Sequence, residues 1–301
     1  MEEQLLRQQI VDTGLELLKT GLVARTWGNV SAKVDETHLL ITPSGLDYMR
    51  TKPENLALYD SVNKTYEGTH KPSSEKGIHA SAYELLKDAN FVIHTHQTFA
   101  TAYGLCGFES LEMTPEEREK LGGVAVAEYG LPGTKTLKNA VRNAFAGGAH
   151  TVLMKHHGAV VAGSDKEDAF EKVRLLEEIC RRNYKGHDLS EKASVAYSKL
   201  EIPLPAQLDD MAQMIGSKVP VVRGNKEEAL QKYNAILVPG EGAFVKGKDA
   251  DDTEALEILV EKAAVTALHL RQNKVKGKLG WLDIALMNFV YQQKYSKQKG
   301  K

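Results

Sequence analysis

Residues 91–96, Phe-Val-Ile-His-Thr-His, constrain the fold more than any other stretch of this chain. Three apolar positions in a row, two of them β-branched, read as a buried strand, and the run then turns polar. In a strand, side chains two apart share a side. His94 and His96 can therefore reach one ion together at the strand end, at the ~2.0–2.1 Å usual for imidazole nitrogen. A buried strand of this kind needs other strands and helices around it.

The flanking sequence supplies them. Residues 2–20 read as an amphipathic helix with Leu6, Ile10, Leu17 and Leu18 near one face and Gly21 as its stop. Short strands are expected around GNVSAKV and HLLITPSG, a helix over 76–87, and another from about 97 to 105. Residues 109–123 read as an acidic loop around Thr114-Pro115. A strand and turn in VAVAEYGLPG and a helix ending at Gly147-Gly148 follow. Residues 150–163 read as two strands meeting at a bend near His157-Gly158, and Asp165 is placed to cap a helix over 166–183. This alternation is that of an α/β domain over about residues 1–200.

The last third echoes the middle. At a constant offset of 84, Gly158, Ala159, Val161, Gly163, Asp165 and Asp168 recur as Gly242, Ala243, Val245, Gly247, Asp249 and Asp252. Six identities in register point to a partial, degenerate repeat over 204–301. Glu241 stands there in place of His157, and no His-x-His lies near it, so this repeat is expected to bind no metal. The tail from Lys294 is expected to be loose.

Composition closes off several classes of function. The 39 Lys+Arg and 40 Asp+Glu give a net charge of −1, which supplies no field for gripping nucleic acid or an anionic membrane. Cys106 and Cys180 stand apart with no C-x-x-C pair, the pattern of free thiols in a reducing compartment. The charged N-terminus has no signal-peptide core, and no stretch reaches membrane-span length. A cytoplasmic protein is expected.

Two imidazoles are too few for a catalytic metal site, where three protein ligands and an open position are usual. His157, at a strand end before a glycine, is the best third ligand, with His156 pointing away in an extended chain. Pro72-Ser73-Ser74-Glu75 precedes a helix, so it is either a phosphate-binding helix N-terminus or a plain cap. Gly28-Asn29 and Ser44-Gly45 are either anion-binding turns or simple turn chemistry, with Asn29, Thr42 and Ser44 able to donate hydrogen bonds.

In order along the chain, Gly28-Asn29-Val30-Ser31, Ile41-Thr42-Pro43-Ser44-Gly45, Pro72-Ser73-Ser74-Glu75 with His79, His94-Thr95-His96, Tyr129-Gly130-Leu131-Pro132-Gly133-Thr134 and His156-His157-Gly158 resemble the class II aldolase/adducin family, L-fuculose-1-phosphate aldolase type. The resemblance spans about residues 5–185. It implies a three-layer α/β/α domain around a mostly antiparallel sheet, and a homo-oligomer, usually a tetramer. It implies a metal, usually Zn²⁺ with Mn²⁺ or Co²⁺ compatible, on His94, His96 and His157. Glu75 is then a fourth ligand or the catalytic acid/base. The substrate phosphate falls to Gly28, Asn29, Ser44, Gly45, Ser73 and Ser74. The implied reaction is cleavage of a ketose 1-phosphate through a metal-stabilised enediolate, giving dihydroxyacetone phosphate and an aldehyde.

One departure stands out. Aldolases of this type carry a tyrosine in the loop between the second and third histidines, and here that loop, SLEMTPEEREKLGG, has none. Other readings on the same scaffold are an epimerase, which usually carries Asp at the Glu75 position, a dehydratase or a decarboxylase. A reading of a different class is the adducin-like binding module, which loses metal ligands that this chain keeps.

Overall fold

The computed structural model describes residues 2–108 and 111–294 and divides into two compact units, Met1–Asn183 and Tyr184–Lys301. In the first, α1 (Glu2–Lys19) ends one residue before Thr20-Gly21, where Gly21 takes the left-handed turn. Four strands follow: β1 (Asn29–Lys33), β2 (His38–Ile41), β3 (Ala57–Asp60) and β4 (Tyr66–Glu67). Then come α2 (Lys76–Leu85), β5 (Phe91–Thr95), α3 (Thr98–Cys106), α4 (Pro115–Lys120), β6 (Val124–Ala127), α5 (Lys135–Ala146), β7 (Thr151–Met154), β8 (Gly158–Gly163) and α6 (Lys166–Asn183).

The strands form one sheet in the order β4-β3-β2-β1-β5-β8-β7-β6. Every pairing is antiparallel except β6 with β7. β5 sits inside it, with His94 opposite Asn29 of β1 on one side and Val160 of β8 on the other. Its residues alternate as a pleated strand must. Val92 packs with Ile78, Tyr83, Leu137 and Phe145 of α2 and α5, whereas Phe91 and Ile93 pack with Ile10, Leu17 and Val173 of α1 and α6. A third cluster joins Tyr103 of α3 to Leu176 and Ile179 of α6. These three cores make the expected α/β/α layering around a mostly antiparallel sheet.

Two local expectations change. Residues 109–123 are not all loop, because α4 stands among them. Thr114 and Glu117 form a reciprocal capping box and Pro115 fills the first helical position, which together start a helix despite the acidic run. The second concerns His156. It is not extended but sits in the β7–β8 turn with φ 65°, its ring against Tyr129 at 5.1 Å. Residues 109 and 110 of the acidic stretch, and all but the first residue of the tail from Lys294, lie outside the described residues.

The second unit contains α7 (Ala193–Ser198), β9 (Leu204–Pro205), α8 (Asp209–Met214), β10 (Lys218–Val219), α9 (Lys226–Lys232), β11 (Ala235–Val238), β12 (Gly242–Val245), α10 (Ala250–Gln272) and α11 (Trp281–Lys294). The β11–β12 hairpin and α10 repeat the succession β7, β8, α6. Asp165 accepts from the Asp168 N–H at 2.8 Å, and Asp249 accepts from the Asp252 N–H at 2.8 Å. In each case a glycine at the hairpin's end or two residues beyond it is seated on the next helix. A Cβ at Gly163 would collide with the backbone nitrogen of Ala169, and one at Gly247 with that of Thr253. Gly163→Ala and Gly247→Ala should each destabilise their own unit by about 2–3 kcal/mol through overpacking. Urea unfolding followed by circular dichroism checks this, with exposed Glu16→Ala as a control that leaves the midpoint in place.

Candidate metal centre

β5 delivers His94 and Thr95 at its end and leaves His96 one residue beyond. His94 lies on the same side as Val92, toward α2, and is buried. Its Nδ1–H donates to the Ala159 carbonyl at 2.8 Å. That bond fixes the tautomer and turns Nε2 inward, as backbone carbonyls do for metal-bound imidazoles. Behind the site, the Thr95 hydroxyl donates to Gln97 Oε1 at 2.9 Å, and Gln97 Nε2 donates to the Val173 carbonyl at 2.7 Å. The Glu177 carboxylate of α6 accepts from the N–H groups of Phe99 and Ala100, both at 2.9 Å. The start of α3, two residues after His96, is thereby held to α6. Trp27 stacks on His96, with ring centroids 6.3 Å apart and planes 13° apart.

His157 enters from the β7–β8 turn. Gly158 allows the approach, because a Cβ there would collide with the Thr95 carbonyl oxygen. The three rings face one another with centroid separations of 4.7–5.0 Å. His94 Nε2 and His96 Nε2 are 3.0 Å apart, and one donor atom from each histidine lies within 4.8 Å of the others. A tetrahedral ion with bonds of ~2.0–2.1 Å needs its nitrogens ~3.3 Å apart. The donor set therefore fits a divalent metal.

Glu75 lies at the start of α2 and is buried. One of its oxygens is 3.0 Å from His157 Nε2, and the other is 3.3 Å from His94 Nε2. Asn29 Nδ2 donates to the second oxygen at 3.0 Å. Burial pushes this carboxyl up, but His94, His157 and the hydrogen bonds from His157 and Asn29 outweigh it and hold it well below the usual range.

Of the residues expected around a phosphate, Gly28, Asn29 and Ser73 lie against residues of this centre. Pro43 and Pro72 form a bridge. Around it Ser73 N donates to the Thr42 carbonyl at 3.1 Å, and Ser44 N donates to the Lys71 carbonyl at 2.9 Å. In this antiparallel register Ser44 stands beside Lys71, and Thr42 stands beside Ser73. The Ser73 hydroxyl accepts from the Glu75 N–H at 3.2 Å. Gly28, at φ 79°, lies against β5, where a side chain would strike the His94 carbonyl oxygen. Asn29 differs from the others, since its amide is engaged by Glu75 on one side and His79 on the other.

Sequence reasoning gave no role to Trp27, Lys76 or His79. Lys76 Nζ lies 3.4 Å from the Ser73 carbonyl. Burial and the neighbouring charge of Lys71 push it down. Two ammonium groups on one short loop are a signal the sequence did contain.

Residues 8–184 match the family described as the Class II Aldolase and Adducin N-terminal domain. The chain belongs to the class II aldolase and adducin family. With all three histidines in place, it is an enzyme of the class II aldolase type. Among its relatives, a 5-deoxy-D-ribulose 1-phosphate aldolase of Bacillus thuringiensis serovar kurstaki is 30% identical over 198 residues, covering 65% of this chain and 92% of the relative. An L-ribulose-5-phosphate 4-epimerase of Salmonella paratyphi B is 30% identical over 190 residues, covering 59% and 83%. A solved L-fuculose 1-phosphate aldolase superposes with TM-score 0.52 at 29% identity, covering 59% of this chain and 84% of that one. An L-fuculose 1-phosphate aldolase from Glaciozyma antarctica shares the fold over 92% of this chain and 93% of its own, with TM-score 0.50 and 15% identity. No helix among the described residues is long and apolar enough to cross a membrane.

Replacing one ligand leaves two imidazoles, too few for a closed chelate. His94→Ala should lower bound divalent metal from about one ion per chain to below ~0.1, and His156→Ala should leave it unchanged. Plasma mass spectrometry of the purified proteins measures both.

Proposed function

We propose that this enzyme cleaves a ketose 1-phosphate, of the fuculose-phosphate kind, to dihydroxyacetone phosphate and an aldehyde. The observation that carries this reading is the buried Glu75 carboxylate lying 3.0–3.3 Å from two of three convergent imidazoles. His94, His96 and His157 would hold the ion, with Zn²⁺ the first expectation and Mn²⁺ or Co²⁺ compatible with the same donors. When bound, such an ion supplies Lewis-acid polarisation of the substrate ketone.

The chain supplies the rest. Glu75, already ionised and within reach of the pocket, takes and returns a proton at an oxygen not engaged by Asn29. Ser44, Gly45, Ser73 and Ser74, with Gly28 and Asn29 beside them, hold the phosphate, and Lys71 and Lys76 add a positive field to that corner. Anchoring the phosphate there converts remote binding energy into orientation of the reacting carbons. Residues 1–200 carry this chemistry. The second unit, a partial repeat, binds no metal. The active assembly is a homo-oligomer, as a tetramer.

The named epimerase relative favours a second reading, 4-epimerisation of a pentulose 5-phosphate. Glu75 speaks for cleavage, since such epimerases usually carry Asp there.

A panel of ketose 1-phosphates and L-ribulose 5-phosphate, assayed with and without chelator, separates the two. Release of dihydroxyacetone phosphate that stops with chelator is expected; an epimer with no carbon–carbon cleavage selects the second reading. Glu75→Gln should lower kcat by about 10²–10⁴-fold, the usual range for a lost general acid/base. Lys76→Met should raise KM for the phosphorylated substrate about tenfold, with little change in kcat, in initial-rate measurements.

A further inference from the structure

Glu75 ends a buried chain of five hydrogen-bonded side chains. Asn29 Nδ2 meets Glu75 at 3.0 Å, and Asn29 Oδ1 meets His79 Nε2 at 2.5 Å. His79 Nδ1 meets Ser31 Oγ at 2.7 Å, and Ser31 Oγ meets the Tyr83 hydroxyl at 2.6 Å. All five residues are buried, Ser31 and His79 completely.

The chain is built by two matched periods. Glu75, His79 and Tyr83 stand four apart on α2, and Asn29 and Ser31 stand two apart on β1. Four helical residues rise ~6.0 Å and two strand residues ~6.8 Å, so the side chains interleave without strain.

The donors can be assigned from one end. A carboxylate only accepts, so Asn29 turns its NH₂ to Glu75 and its carbonyl to His79. His79 Nε2 must then donate. A neutral imidazole has one N–H, so Nδ1 accepts the Ser31 hydroxyl proton, and Ser31 Oγ in turn accepts from Tyr83. Every donor points toward Glu75. Burial and nearby His94, against the pull of Glu75, push the His79 imidazole down to about 3, consistent with a neutral ring.

We propose that His79, backed by Ser31 and Tyr83, is the positioning residue for Glu75, fixing Asn29 so that the carboxylate oxygen beside His94 is held and the one beside His157 is left for the proton. Its catalytic consequence rests on Glu75 being the proton-moving group of the proposed aldolase.

Two measurements test this independently. Nitrogen-15 NMR of the full-length wild-type protein, with the His79 signals assigned by comparison with His79→Gln, should show protonated Nε2 and bare Nδ1 at neutral pH. An Nδ1–H tautomer or an imidazolium overturns the assignment. In kinetics with a cleaved ketose 1-phosphate, His79→Asn, which cannot reach Asn29, should lose about 10–100-fold in kcat with KM within about twofold and full metal content. His79→Gln, whose amide can stand at the Nε2 position and donate, should recover to within about fivefold of wild type. Equal losses in both variants, or losses that follow metal content, overturn the proposal. Should His79→Asn fail to fold, Tyr83→Phe decides. A kcat loss of about twofold to fivefold at unchanged KM, absent when added to His79→Gln, supports a chain acting as a unit, and no loss overturns it. If the wild type cleaves no ketose 1-phosphate, the aldolase reading falls, and the NMR result still decides the chain.

Discussion

The position of β5 between β1 and β8 is the constraint on which the rest depends. A strand paired on both edges and packed on both faces cannot shift register without moving every apolar residue to the wrong layer. That rigidity is handed to His94 and His96 at its end. β1 on one side carries Asn29, and β8 on the other supplies the Ala159 carbonyl that orients His94. The turn before β8 brings in His157. A metal centre needs ligand atoms held to a fraction of an ångström, and here three adjacent strands share the task.

Much of this was legible from residue order. The FVIHTH run declared both a buried strand and two of the three convergent imidazoles. The second strand end, before Gly158, declared the third. What could not be read was adjacency. The order β4-β3-β2-β1-β5-β8-β7-β6 arises from pairings between residues far apart in the chain, such as Asn29 with His94, and no local period encodes them. The same blindness hid the Glu75–Tyr83 chain. Its spacings of two and four are plain in the sequence, but they mean something only once α2 is known to lie over β1. The helix Pro115–Lys120 was missed for a different reason. Thr114 and Glu117 announce a cap, yet the helix has no apolar face, and polar composition was read as loop.

The site also shows how one residue type serves different ends by environment. His94 is held by a carbonyl on Nδ1 and offers Nε2 to the pocket. His79, equally buried, donates through Nε2 to Asn29 and offers nothing to an ion. His150 spans Asp88 and the Gly122 carbonyl near the surface. The partner on the other ring nitrogen, rather than the imidazole itself, decides whether a histidine faces the pocket or serves as a strut.

The grip of Glu177 on the start of α3 has a counterpart at the same offset of 84. Glu261 of α10 accepts from the backbone N–H groups of Ala193 and Ser194 at the start of α7. There is no histidine pair before α7 for this grip to steady. The second unit thus behaves as a natural subtraction experiment. The glycine stop, the aspartate cap and the glutamate clamp recur in it without a histidine cluster, so each serves folding in its own right. At the position of His157 stands Glu241, so the same scaffold is built there without that imidazole.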